Sequence, residues 1–259
     1  LSPIGIYLPL RWAAMNLPPI SLCGNVPRRY CLPMQLFRKC LFYRGKIWYS
    51  KTMKRNADRQ QGGSRLNVQM LGTGSAFAKA FHNNNALFTL NGQTLLVDCG
   101  ITAPKSLYEL GITFDKIDAV LLTHIHADHI GGLEEFGFQM KFIYKRKPKL
   151  FIADTLVETL WECSLKGGMY QDEMPSLESY FDVYPMAEGT AYEVIPGLRI
   201  KLIQTSHIPN KPNYSLIIND HFFYSGDMVF SSDLLHSLVE EQDIRLIFEL
   251  NHDYHPLCR

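Results

Sequence analysis

The segment Ile117-Asp118-Ala119-Val120-Leu121-Leu122-Thr123-His124-Ile125-His126-Ala127-Asp128-His129-Ile130-Gly131-Gly132 decides the fold. Its first six residues are mostly apolar and bounded by polar ones, which predicts a buried strand. His124 and His126 lie two apart, so on extended backbone their rings fall on one side of the chain. Asp128 and His129 sit where the chain turns, and Gly131-Gly132 lets the next segment pass close beneath them. Three imidazoles and a carboxylate within six residues are metal-ligand types at metal-ligand density. The competing explanation is a polar loop rich in histidine by accident of composition.

His-x-His-x-Asp-His after a buried strand resembles the metallo-β-lactamase superfamily of binuclear metal hydrolases. The resemblance covers roughly residues 66 to 250 and leaves the first 60 outside it. It implies an α/β fold, the αββα sandwich of two mixed β-sheets flanked by helices, with the metals at one edge between the sheets. It also implies a ligand set. His124, His126 and His207 are expected at one ion, Asp128 and His129 at the other, and Asp227 between them. His207 is placed there by Thr205-Ser206-His207, straight after a strand, and Asp227 by Ser225-Gly226-Asp227. Asp98, in Asp98-Cys99-Gly100 at another strand end, is expected to support the metal loop by hydrogen bonding a ligating histidine. A helix N-cap is the alternative role for Asp98.

The resemblance departs at the end of the chain. The superfamily supplies one more histidine to the second metal, well beyond the last strand. Only nine residues follow Leu250, among them His252 and His255, so the domain is expected to be shortened at its C-terminus. His252 or His255 is the candidate for that last ligand.

Leu66–Leu71 predicts a first strand, and Gly72-Thr73-Gly74-Ser75-Ala76 follows it. Glycine-rich turns after strands often cradle phosphates, although a plain tight turn has the same composition. Gly74 and Ser75, with Asn84 from the polar run His82-Asn83-Asn84-Asn85, are the expected substrate contacts. The opening Leu71-Gly72-Thr73-Gly74 is similar to the ribonuclease Z-like branch. Asn91-Gly92 signals a two-residue hairpin between strands 86–90 and 94–97. Helices are expected over 103–110, 133–140, 154–163 and 231–241, the last with Ser231 as N-cap. Strands are expected over 149–153, 192–195, 198–204, 213–218, 221–224 and 244–250. Residues 167–179 have no clear period and suggest a lid. The basic run Lys141–Lys149 is either a solvated face or a phosphate-binding rim.

Charge divides the chain. Residues 1–65 carry 12 Lys and Arg against the single acid Asp58, whereas residues 66–259 carry 14 against 24 acids. The first part is also Pro-rich, with Pro3, Pro9, Pro18, Pro19, Pro27 and Pro33, which disfavours long helices and central strands. It is read as a basic leader, non-native or disordered, with Met53 as a natural start. An RNA-binding arm and a targeting segment are the alternatives. Residues 66–259 form the hydrolase domain. The six cysteines contain no Cys-x-x-Cys pair and are read as reduced thiols of a cytoplasmic protein. No run approaches the roughly 18 apolar residues that a membrane helix needs.

The resemblance implies two divalent metal ions roughly 3.5–4 Å apart, activating a bridging hydroxide without a separate strong base. Zinc suits the ligands, and Mn or Fe would accept the same set. The expected activity is phosphodiester hydrolysis, on RNA ends or on a small cyclic or linear diester, with Asp128 and Asp227 in the catalytic centre. A lactonase or other ester or thioester hydrolase is the alternative within the fold. A metal-binding but inactive module is the alternative outside it. No membrane partner is expected, and homodimerisation is left open.

Overall fold

The computed structural model describes residues 65–242 and 244–251. Its first sheet opens with three antiparallel strands, β1 (Asn67–Gly72), β2 (Asn85–Leu90) and β3 (Gln93–Val97). The sheet then turns parallel. After helix α1 (Ala103–Glu109) come β4 (Ala119–Leu122), β5 (Lys149–Ala153) and β6 (Asp182–Met186), each parallel to the strand before it. The second sheet has the order β11-β10-β9-β8-β7, from β7 (Ala191–Ile195), β8 (Leu198–Gln204), β9 (Tyr214–Ile218), β10 (Phe222–Met228) and β11 (Leu246–Asn251). Its strands are antiparallel except for the parallel pair β10–β11. Both sheets are mixed and helices flank them, so the αββα sandwich is the observed architecture.

Period-two alternation explains why the sandwich has four layers. On β9 and β10, Leu216, Ile218, Phe222 and Tyr224 join the large core shared with the first sheet. The residues between them, Ile217 and Phe223, point the other way. They form a second cluster with Leu235, Leu238 and Val239 of helix α6 (Ser232–Glu240). Ser231 caps that helix through the backbone N–H of Leu234. Between the sheets, Phe88 of β2 meets Phe222 at 6.2 Å and Tyr224 edge-on at 5.7 Å. β4 is buried at every position, as a central parallel strand covered on both faces should be.

The two-residue hairpin signalled by Asn91-Gly92 forms: Leu90 pairs with Gln93, and Asn91 and Gly92 have φ of 54° and 76°, the left-handed backbone of the twist-matched turn. A three-residue turn joins β9 to β10, where Ile218 pairs with Phe222 and Asn219 and Asp220 have φ of 48° and 61°. Two elements differ from expectation. The helix expected over 154–163 is a succession of short pieces, including α4 (Val157–Leu160), a π-helical turn over Trp161–Leu165 and α5 (Lys166–Met169). β6 carries Pro185 and only one buried residue, so neither periodicity nor propensity announces it. It is the edge strand of its sheet, where a proline removes no inner ladder bond. The segment expected as a lid is anchored at its ends, with Met169 and Leu177 buried and the Tyr180 hydroxyl donating to the Met169 carbonyl, while residues 170–173 between them are exposed.

Near the end of β10 the register with β11 shifts between Tyr224 and Asp227, and Gly226 adopts φ 56°. The bulge re-aims the Asp227 side chain. A methyl group at Gly226 would meet only ordinary contacts at 3.6 Å from Thr123, so the constraint is conformational. Gly226→Ala is therefore expected to cost about 1–2 kcal/mol from left-handed backbone alone. Urea denaturation checks this, and an unchanged midpoint would contradict the bulge assignment.

Candidate metal centre

The site gathers at the carboxyl ends of the first sheet's parallel strands, where they face the ends of β8 and β10. β4 stops at Leu122, and the next residues deliver His124 and His126. The short helix α2 (Ala127–Ile130) carries Asp128 and His129. His207 follows β8, and Asp227 lies on β10. Close backbone approaches hold these segments together. A Cβ on Gly100 would lie 1.7 Å from the Asp128 carbonyl oxygen, and one on Gly132 would lie 2.7 Å from that of Gly100. The Cys99 N–H donates to His129 O at 2.7 Å and the Gly132 N–H to Cys99 O at 2.8 Å, so the turn beneath α2 is stitched to the end of β3. Asn85 adds a brace: its amide donates to Asp128 O and its carbonyl accepts from Gly100 N–H.

Asp98 is fully buried and has φ 61°. One carboxylate oxygen accepts the Thr123 N–H, and the other accepts the Thr123 hydroxyl and lies 2.7 Å from His129 Nδ1. It is not a helix cap, since α1 begins after Thr102. With Nδ1 held by Asp98, His129 turns Nε2 inward, 3.4 Å from Asp128 Oδ2 and 3.3 Å from Asp227 Oδ2. That nitrogen is buried and makes no hydrogen bond. The Nε2 of His124 is 2.9 Å from His126 Nδ1, and the His207 ring stands 5.1 Å and 5.2 Å from the His124 and His126 rings.

Among the described residues, two groups of three have ligand atoms all within 4.8 Å of one another: His124, His126 and His207, and His124, His129 and Asp227. Their electrostatics differ. Burial, with the charge of His129, pushes His124 well below the usual histidine range, and burial also lowers His126. Both rings are thereby neutral and offer lone pairs. Burial opposes charge on His129 too, but the negative carboxylates of Asp98, Asp128 and Asp227 around the ring outweigh it and raise its pKa well above that range. Burial would raise Asp128, but the neighbouring His129 outweighs it and the pKa is lowered. Neutral imidazoles beside carboxylates, with a buried nitrogen lacking a hydrogen bond among them, fit a divalent cation.

The six residues His124, His126, Asp128, His129, His207 and Asp227 are thus brought together. His252 and His255 lie outside the described residues. Gly74 spends its backbone groups within the fold. The Gly74 N–H donates to His82 O, its carbonyl accepts from Asn84, and Ser75 O accepts from the Asn83 amide. Asn84 is buried, with its amide on Asp227 and Tyr224. The basic run 141–149 braces the fold: Lys141 and Lys147 donate to the carbonyls of Ser179 and Glu178, and Arg146 pairs with Asp118. Thr123, Asn85, Asn213 and Tyr224 carry site contacts that sequence reasoning passed over. Thr123 alone had a signal, standing directly before the first histidine. Of the cysteines, Cys99 and Cys163 are described and free, and burial raises the Cys99 thiol.

The architecture defines the class, the metallo-β-lactamase fold. Among solved structures, the metallo-β-lactamase fold protein YhfI from Bacillus subtilis superposes with a TM-score of 0.54 at 20% identity, covering 66% of each chain. Within that class the chain belongs to the anti-Pycsar protein Apyc1 family, whose model matches residues 66–255. It is 60% identical over 175 residues to an anti-Pycsar protein Apyc1 of Paenibacillus harenae, across 68% of this chain and 73% of that protein. A relative from Saccharibacillus brassicae is 53% identical over 182 residues, across 70% of this chain and 75% of its own length. Among the described residues no helix is long and apolar enough to cross a membrane.

The Asp98–His129 pair generates a stability prediction. Asp98→Asn leaves an imidazole among carboxylates without its charged partner. Breaking a buried pair in this way costs about 3–5 kcal/mol. Urea unfolding of metal-free protein in EDTA is expected to register that loss, and an unchanged midpoint would contradict the ion-pair account.

Proposed function

We propose that the protein is a metal-dependent phosphodiesterase acting on a small cyclic or linear phosphodiester. His124, His126 and His207 would hold one divalent ion and Asp128 and His129 a second, with Asp227 available to both. The observation that carries this reading is the position of Asp227 Oδ2, 3.3 Å from His129 Nε2 and 3.7 Å from His207 Nε2. One carboxylate oxygen faces a histidine of each group. Bound there, the ions supply a water that deprotonates near neutral pH and a Lewis acid for the phosphoryl oxygen.

The chain's own residues prepare the site. Asp98 fixes the His129 ring and its tautomer, and Thr123 holds Asp98 from two directions. Around the mouth, Ile208, Val229 and Phe230 are exposed next to His207 and Asp227, and the Val229 N–H joins the two segments through Ser206 O at 2.6 Å. An apolar lip suits a ligand with a flat or apolar part beside its phosphate. The acid excess of residues 66–259 disfavours long RNA, whose binding depends on many cationic contacts. These features favour a small diester over RNA ends. The relatives are named anti-Pycsar proteins, and the same role is proposed here, carried out by cleaving such a diester.

Turnover by Zn- or Mn-loaded protein is expected on a 3′,5′-cyclic nucleotide or a dinucleotide and not on a homoserine lactone. The reverse preference would make the protein a lactonase. His126→Ala or Asp227→Ala removes several kcal/mol of charge stabilisation, so the rate is expected to fall roughly a thousandfold or more. Near-normal turnover in a folded Asp227→Ala protein would contradict the assignment.

Metal uptake is expected to depend on pH with a definite sign. His129 is held protonated in the metal-free protein, and its Nε2 proton has to leave before that nitrogen can bind a cation. Affinity therefore rises with pH, by up to about tenfold per unit below the His129 pKa. Chelator competition at pH 6, 7 and 8 measures it. A dissociation constant independent of pH across that range would overturn the reading.

A further inference from the structure

We infer that Tyr224 and Asn84 form a positioning relay that decides which oxygen of Asp227 faces the histidines. The inference rests on the reading of Asp227 as a metal ligand. It assigns two residues that ligate nothing themselves.

The geometry is a chain of two hydrogen bonds. Tyr224 OH lies 3.2 Å from Asn84 Oδ1, and Asn84 Nδ2 lies 3.3 Å from Asp227 Oδ1. Tyr224, Asn84 and Asp227 are 0%, 1% and 4% exposed, so water does not compete for these bonds. Chemistry fixes the direction of the chain. An ionised carboxylate only accepts, so Asn84 has to turn its NH₂ toward Asp227. That leaves the amide oxygen facing Tyr224, and the phenol has to donate. Were the amide flipped, its oxygen would oppose a carboxylate oxygen in a dry site. The phenol stays protonated as a donor should, since burial raises its pKa well above the usual value.

The ring that starts the relay is itself clamped. Tyr224 stacks on Phe248 of β11 at 5.6 Å and 15°, and meets Phe88 of β2 edge-on at 5.7 Å. Asn84 directly precedes β2 in the first sheet, and Tyr224 and Asp227 lie on β10 in the second. The relay therefore spans the two sheets. Below it, the Asn213 amide donates to the backbone carbonyl of Asp227 at 2.6 Å, so the same residue is held at its backbone and at one oxygen. Once Asn84 occupies Oδ1, Oδ2 is the oxygen facing His129 Nε2 and His207 Nε2. Without the relay, Oδ1 loses its amide donor and the carboxylate's broad terminal torsion is set by the Oδ2 side with less restraint.

The test compares Zn²⁺ affinity, by competition with a chromogenic chelator, for the unmodified chain and for Tyr224→Phe, Asn84→Ala and the double variant. Tyr180→Phe is the matched control, because it removes a buried phenol hydroxyl bonded to the Met169 carbonyl, away from the site. Partners of metal ligands typically contribute 10- to 100-fold in affinity. Tyr224→Phe is expected to weaken Zn²⁺ binding about tenfold or more with near-UV circular dichroism unchanged, and Tyr180→Phe is expected to leave affinity as it was. Since the relay acts in series, Tyr224→Phe is expected to add little once Asn84 is alanine. Unaltered affinity in Tyr224→Phe, an equal loss in Tyr180→Phe, or fully additive losses would each overturn the relay while leaving the metal reading intact. If Asn84→Ala does not fold, Tyr224→Phe against Tyr180→Phe decides alone. An unmodified chain that takes up no Zn²⁺ would overturn the metal reading, and the relay with it.

Discussion

A carboxylate and an imidazole, Asp98 and His129, meet at 2.7 Å with neither side chain reaching solvent. Placing two ionisable groups in such a spot is costly unless each is fully engaged. Three segments are therefore drawn to one point: the end of β3 supplies Asp98, the end of β4 supplies Thr123, and α2 supplies His129. The Asp98 carboxylate accepts three hydrogen bonds, and the imidazole has carboxylates beside both of its nitrogens. Stability alone would be served as well by packed apolar side chains. What this pair adds is direction, because it turns His129 Nε2 into the cluster.

The site is also the joint between the two sheets. The Tyr214 N–H at the start of β9 donates to Thr123 O beyond β4, and Asn84 beside β2 reaches Asp227 on β10. Ligands from one sheet are thus positioned against ligands from the other by short polar contacts, while the Phe88–Phe222–Tyr224 cluster supplies the apolar contact behind them. A small change in how the sheets meet would alter the spacing of His207 and Asp227 against His124, His126 and His129. This explains why the polar atoms beneath the cluster form a near-continuous network, from Ser225 O through Ser215, Thr205 and Asn213 to the Asp227 backbone.

Much of this was legible in the sequence, for identifiable reasons. His124, His126, Asp128 and His129 sit in six consecutive residues, so the local pattern carries them. Asn91-Gly92 announces its hairpin because few other residues tolerate left-handed backbone. Long-range partnerships leave no such trace. Tyr224 reads as an ordinary strand aromatic, and its bond to Asn84 spans 140 residues. Asn84 and Gly74 read as substrate contacts because composition cannot tell an amide facing a ligand from one facing a neighbouring strand. β6 is invisible because a proline-bearing edge strand needs no alternation, and Lys141 and Lys147 look available because a sequence does not show the carbonyls that occupy them.

Two divalent ions are proposed in one cluster, one at His124, His126 and His207 and the other at Asp128 and His129, with Asp227 common to both. The most direct test is metal content by plasma mass spectrometry, on protein purified without a histidine tag and then equilibrated with Zn or Mn and desalted. Close to two ions per chain is the predicted result. A chain that retains none, or that saturates at one, would contradict it.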